Sequence, residues 1–309
     1  MERKDFTLVS ESDNLTLHGT VYEPNGEIKG IFQILHGMGE YRQRYDELMR
    51  FFAENGFIAA CHDHRGHGDS VRSDGDLGYF YETKGKAVVE DSAQVTRYLQ
   101  AQYPNLPVVL FGHSMGSMIA RCYLQKYDTL VCGAIICGSP AENPLTGVAI
   151  ALTKCIALFK GDHHRSKMLS YLSTGKGNDN FPDEPKGAWL SRNRKKIDEF
   201  YSHPKGKFGF TCNGFENLFR LMKNTYTPKA YRVENPKLPI FFVSGGDDAV
   251  LGSEKQWRAE LEMLKKVGYT NVTGKLYPGL RHEIHNELEN AEPLADLLGF
   301  AHKVVNAQK

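Results

Sequence analysis

No stretch of this 309-residue chain approaches the roughly 20 consecutive apolar residues that a membrane-crossing helix needs, so the sequence offers no helical membrane span. An excess of one charge is missing too, because 38 Lys and Arg stand against 37 Asp and Glu for a net charge of +1. That balance gives no electrostatic basis for binding nucleic acid or an anionic membrane. Cysteine is sparse: the six residues at 61, 122, 132, 137, 155 and 212 form no C-x-x-C pair. Their scatter argues against a zinc ribbon or a disulfide framework and fits packed, reduced thiols. Behind Met1-Glu2-Arg3-Lys4-Asp5 comes strand-like alternation rather than an apolar signal core, so a cytoplasmic protein is expected. Repeats and low-complexity tracts are absent as well. What is present is an ordinary globular composition, at a length that suits one large α/β domain or a core carrying an insertion.

The hydrophobic pattern supplies the order of elements. Two alternating stretches, at 6–9 and 15–22, flank Ser12-Asp13-Asn14 and predict an antiparallel hairpin. Apolar runs at 30–35, 57–61, 107–111, 131–137 and 238–244 predict buried strands, and a further strand is expected near 272–277. Helical spacing separates them, with Tyr45, Leu48, Met49 and Phe52 on one face and further helices at 86–102 and 254–267. Strands alternating with helices imply a mostly parallel sheet covered on both faces. The alternation breaks from about 139 to 236, where helical patterns and loops rich in Gly, Pro, Asn and Asp predict an insertion over the sheet edge.

At the centre of the chain lies Gly112-His113-Ser114-Met115-Gly116, between a strand pattern and a helix pattern. Such a G-x-S-x-G turn holds its serine in a strained conformation, with glycines where any side chain would collide with neighbouring backbone. Ser114 is therefore the expected nucleophile, facing the positive end of the following helix. A serine hydroxyl needs a base, and the base needs an orienting carboxylate. In an α/β arrangement of this kind they follow as Asp or Glu and then His, each on a loop after a strand. The loop after 244 supplies Asp248, whose G-x-x-D-x-V spacing places it past the tight bend, with Asp247 as its neighbour and alternative. The loop after 277 supplies His282, with His285 expected one turn into a following helix. The two backbone N–H donors of an oxyanion hole fall by position on Met115 and on Met38, within His36-Gly37-Met38-Gly39.

Other clusters invite different chemistry. His62-Asp63-His64-Arg65-Gly66-His67 resembles a dinuclear zinc ligand run, but glycine stands where an aspartate ligand is required and no second ligand cluster exists. Neither a metal nor a cofactor is expected. Asp162-His163-His164-Arg165 reads as a solvated loop, and Arg192-Asn193-Arg194-Lys195-Lys196 as a solvated helix face or a phosphate contact. Residues 149–159, nearly all apolar, would line an acyl channel, touch a lipid surface or form a buried helix.

Five motifs in order resemble the α/β-hydrolase superfamily in its monoacylglycerol lipase and lysophospholipase-like branch, also grouped with serine aminopeptidases. They are His36-Gly37-Met38-Gly39-Glu40, Asp63-His64-Arg65-Gly66-His67-Gly68-Asp69-Ser70, the Ser114 turn, Gly245-Gly246-Asp247-Asp248-Ala249-Val250 and Arg281-His282-Glu283-Ile284-His285-Asn286-Glu287. The resemblance implies Ser114, Asp248 and His282 as a triad. It also implies a core at 1–139 and 236–309, with a helical cap at 140–235 that selects substrate. The expected activity is hydrolysis of a small-molecule carboxylic ester, a single-chain lipid such as a monoacylglycerol or lysophospholipid, with transient membrane-surface contact through the cap. A proline iminopeptidase-like aminopeptidase is the alternative within the same chemistry; it needs a cap carboxylate for the substrate amine, and Asp179, Asp183 and Glu184 are available. A non-catalytic binding or sensing protein is the alternative outside it.

Overall fold

Strands that are apolar at every position need cover on both faces, and the strands of that kind lie side by side within one sheet. In a computed structural model, which describes residues 1–82 and 84–308, the core elements are β1 (Glu2–Val9), β2 (Thr16–Glu23), β3 (Gly30–Leu35), α1 (Asp46–Glu54), β4 (Phe57–His62), α2 (Ala87–Gln102), β5 (Val108–His113), α3 (Met115–Tyr127) and β6 (Gly133–Cys137). The sheet runs β1-β2-β4-β3-β5-β6 and continues with β7 (Ile240–Gly245) and β8 (Val272–Tyr277). β2 is antiparallel to both β1 and β4, and the other pairs are parallel. The expected hairpin and mostly parallel sheet are thus present.

Side-chain alternation divides the core into two layers. In β5, Val108 and Leu110 face the apolar stripes of α2, α3 and α9 (Glu254–Val267), where Leu99, Ile119 and Leu264 are buried. Val109 and Phe111 face the opposite layer, made by Phe52 of α1 and by Leu297 and Val304 of α10 (Ala291–Asn306). From β3 the chain moves outward to β4 on one side, and from β5 to β6 on the other. Loops leaving the carboxyl ends of β3 and β5 therefore diverge and open a crevice between them. The 36–40 loop and Ser114 sit there.

Between β6 and β7 the described residues form α4 (Thr146–Lys160), the short α5 (Lys167–Ser170), a π-turn at Tyr171–Gly175, α6 (Lys176–Asp179), α7 (Arg194–Ser202) and α8 (Cys212–Thr225), with no strand among them. The amphipathic α8 ties this segment down, since Phe215, Leu218, Phe219 and Leu221 join the core layer that holds α3. Asn213 and Asn217 accept the backbone N–H groups of Phe80 and Gly85 at 2.7 and 2.8 Å. α4 lies on top of this arrangement and is not the buried helix that its composition allowed. Thr146 and Thr153 are its buried residues, while Leu158 and Phe159 are each 80% exposed. A helix that is apolar all round carries no periodicity to say which side is covered.

The last loop departs from expectation as well. His285 lies in a run of turns, and α10 starts six residues later at Ala291. Pro293 belongs in the first turn of a helix, where its missing N–H costs no intrahelical bond. The preceding turns are held by side chains instead: Glu287 accepts the N–H groups of Arg281 and Arg192 at 2.9 and 2.8 Å.

Candidate active site

The elbow geometry follows from its two glycines. A Cβ on Gly112 would stand 2.3 Å from the Gly116 carbonyl oxygen, and one on Gly116 would stand 2.0 Å from that of Leu35. With both absent, β5 turns into α3 through Ser114, whose φ of 55° lies in the left-handed region that non-glycine residues rarely occupy. Its N–H donates to the Cys137 carbonyl at 2.9 Å. From 108 to 124 Ser114 alone is not buried. The turn thus brings one hydroxyl out of an otherwise closed layer.

The loops after β7 and β8 meet beside it. Asp248 Oδ2 and Oδ1 lie 2.9 and 3.0 Å from His282 Nδ1, with both side chains buried. Asp248 also accepts the Ser244 hydroxyl and the Val250 N–H, each at 2.9 Å. Burial would raise its pKa, but the His282 charge and these donors together hold it below the ordinary carboxylate value. Burial likewise pushes His282 down, and Asp248 overrides it, with help from Glu283 and Glu40, so that the imidazole sits above its usual value. Asp247 is exposed, and its N–H donates to the Leu280 carbonyl at 2.9 Å. His285 is buried against Tyr45 and His113, and burial and the neighbouring His113 push its pKa well down. Of the paired alternatives, the fold brings together Asp248 and His282.

Sequence reasoning missed the residues that hold these loops in register. Glu40 Oε2 accepts the Gly37 N–H at 2.6 Å and the Tyr45 hydroxyl at 2.7 Å, which folds the 36–40 loop back on itself and points Met38 toward Ser114's cavity. Arg44, whose side chain is covered, donates to Glu40 at 2.8 Å and to both oxygens of Glu283 at 2.6 Å. One guanidinium therefore fixes the Met38 loop to the His282 loop. Residues 44 and 283 are too far apart in the chain for any local pattern to pair them. Glu40 and Glu283 stand within the motifs at 36–40 and 281–287, but nothing in either motif points to Arg44. Arg281 adds a second tie, donating to the Ala188 carbonyl and to Glu184, each at 2.8 Å.

Arg44→Met leaves two carboxylates buried without their cation, and the expected loss of stability is about 3–5 kcal/mol. Urea denaturation measures it. A change below about 1 kcal/mol would mean that Glu40 and Glu283 take up protons or water at little cost, and the loop-locking role would fall.

His64 and His67 of the zinc-like run, together with His36, serve as backbone brackets. His36 Nε2 accepts the His64 N–H at 3.0 Å, and His67 Nε2 accepts the Gly39 N–H at 3.2 Å while its Nδ1–H donates to the Arg65 carbonyl at 3.1 Å. Burial pushes the pKa values of His36, His62, His64 and His67 below the usual range, so they stay neutral. No cluster of three or more His, Cys, Asp or Glu positioned for a metal occurs among the described residues. The 162–165 run is not simply solvated: His163 stacks on Tyr79 at 3.9 Å, and Arg165 donates to the carbonyls of Gly75 and Leu77. In the 192–196 run, Arg192 pairs with Glu289, Arg194 with Asp198 and Lys196 with Glu47.

Ser114, His282, Met38 and Met115 all line one cavity of about 600 Å³, which Trp189, Phe208 and Phe219 of the inserted segment help to close. Among the described residues, Asp179, Asp183 and Glu184 do not line it. Asp179 accepts the Tyr171 hydroxyl at 2.9 Å, and Glu184 is held by Arg281.

Comparison with known proteins places this arrangement among relatives. Residues 26–289 match the family described as serine aminopeptidase, S33. The chain is similar to the human monoglyceride lipase, 27% identical over 92% of this chain and 86% of that protein. Against the monoacylglycerol lipase of Mycolicibacterium smegmatis it is 25% identical over 91% of this chain and 90% of the other. Among solved structures, a highly thermostable carboxyl esterase from Bacillus coagulans, in complex with glycerol, superposes with a TM-score of 0.87 at 28% identity over 99% of each chain.

Proposed function

The chain belongs to the serine aminopeptidase S33 family and to its monoacylglycerol lipase-like branch of ester hydrolases, and from that premise we propose that it cleaves single-chain lipid esters through Ser114, His282 and Asp248. The observation that carries this reading is the strained Ser114 opening into the same cavity as a buried His282–Asp248 pair. Asp248 accepts from His282 Nδ1–H, which leaves Nε2 unprotonated to take the Ser114 proton. The Ser114 oxygen then bonds to the acyl carbon, and the carbonyl oxygen becomes an oxyanion facing the N–H groups of Met38 and Met115. His282 passes the proton to the departing alcohol. Water, deprotonated by the same histidine, releases the acid and restores the serine.

Apolar side chains of α3, α4 and α8, including Met118, Ala149 and Phe219, give the cavity a wall suited to an acyl chain. Exposed Leu158 and Phe159 on α4 support transient contact with a lipid surface. None of the described helices is long and apolar enough to cross a membrane, and the unpaired cysteines support a reducing, cytoplasmic setting. The aminopeptidase reading needs a carboxylate for the substrate amine, and the three acidic residues that could serve lie outside the cavity.

Hydrolysis of a graded series tests the proposal: short- and long-chain nitrophenyl esters, a monoacylglycerol, a lysophospholipid and an aminoacyl amide. Long acyl esters are expected to be preferred. Preference for the amide would overturn the lipid reading, and no turnover of any member, with no labelling by a fluorophosphonate, would favour a binding protein.

A further inference from the structure

The polar end of the cavity carries two cations that the ester chemistry does not use. Lys186, from the loop before α7, and Lys207, from the loop before α8, both line the cavity that contains Ser114. Lys207 is held firmly: its φ is 49°, its N–H donates to the Gly39 carbonyl at 2.9 Å, and its ammonium lies 3.9 Å over the Tyr201 ring. Among the described residues, no carboxylate forms an ion pair with either ammonium. The carboxylates in the lining are Glu40 and Glu283, and both are bound by Arg44 rather than by either lysine. Asp179 and Glu184, near Lys186 in an adjoining recess, are engaged by Tyr171 and Arg281. Two like charges have thus been brought together facing open space, a costly arrangement unless a ligand relieves it. The strain is visible in Lys207, which burial and the nearby Lys186 push down to about 8.

We propose that Lys186 and Lys207 bind an anionic group, a phosphate or a carboxylate, on the alcohol half of the ester. The alcohol half is assigned because the apolar wall of Met118, Ala149, Leu218, Phe219 and Met222 takes the acyl chain. An oxyanion bridging two ammoniums gains charge-assisted hydrogen bonds and removes their mutual repulsion. This selects an acidic lipid ester over a neutral monoacylglycerol, and it deepens the reading of Ser114 given above, on which it rests.

Three oleoyl esters test it: 1-oleoylglycerol, its 3-phosphate and the oleoyl ester of glycolic acid. For the intact protein, kcat/KM for one of the two anionic esters is expected to exceed that for the neutral ester by roughly tenfold or more. Which anion gains separates phosphate from carboxylate. In the double variant Lys186→Met, Lys207→Met this ratio is expected to fall roughly tenfold, whereas Lys195→Met, on the outer face of α7, leaves it unchanged. A ratio near one in the intact protein, or one that survives the double substitution, overturns the proposal. Failure of the ester reading itself is distinguished by calorimetry on Ser114→Ala, which needs no turnover. There glycerol 3-phosphate is expected to bind and glycerol is not, with binding lost on removing both lysines. No binding in that titration, together with no anionic preference in turnover, sinks the lysine site. Equal affinity for inorganic phosphate overturns its assignment to the alcohol half.

Discussion

Ser114→Ala is expected to lower kcat on any ester that the protein turns over by roughly 10³-fold or more, while leaving the fold intact. Removing Oγ deletes the atom that forms the acyl bond, and no neighbouring side chain can replace it. The other hydroxyl of the turn, Ser117, donates to the Ser114 carbonyl at 2.6 Å and is buried in α3. The Met38 and Met115 N–H groups remain, so a residue of rate above that in water is expected to persist from oxyanion stabilisation alone. Alanine at a φ of 55° is strained much as serine is, so the melting temperature should change by only a few degrees. Two readouts check this, the rate on a nitrophenyl ester and covalent labelling by a fluorophosphonate. Retained labelling in folded Ser114→Ala protein would place the nucleophile elsewhere.

Asp248→Asn is expected to cost about 10²–10⁴ in kcat, and Asp247→Asn less than about twofold. The difference lies in hydrogen-bond direction. The Val250 N–H donates to Asp248 Oδ1, so an asparagine oxygen takes that place and its NH₂ turns toward His282. Nδ1 then accepts instead of donating, and the ring proton moves to Nε2, where a base must be free. A pH profile gives a signature that mere loosening of the loop would not. His282 must be neutral to act, so activity falls as pH drops through its pKa. That limb lies above the ordinary histidine value because Asp248 opposes the effect of burial, and it should move to lower pH in Asp248→Asn. Equal effects at 247 and 248, or an unmoved limb, would contradict the assigned geometry.

How legible the site was varied with the range of the interactions behind it. Gly112 and Gly116 announce a turn whose backbone has no room for a Cβ, so the elbow could be read locally. The helix expected at His285 does not form there, because side-chain acceptors hold that stretch in turns and α10 begins only at Ala291, with Pro293 in its first turn. The G-x-x-D-x-V spacing favours Asp248 over Asp247 from the sequence, and the contact with His282 comes only from the way the β7 loop turns that carboxylate inward. Arg44, Glu40 and Glu283 could not be linked, because their shared network joins segments 239 positions apart. α4 gave the opposite difficulty, with so much apolar signal that its exposed side was hidden.

By itself the sequence determined the strand and helix order, the hairpin, the parallel sheet and the strained serine, since each rests on periodicity or on backbone sterics within a few residues. Tertiary structure decided what surrounds that serine. Divergence of β3 and β5 opened the crevice, Arg44 locked two loops across it, and loops of the inserted segment brought Lys186 and Lys207 to its lining. Those outcomes depend on burial and charge between distant segments, which only come into contact when the chain has folded.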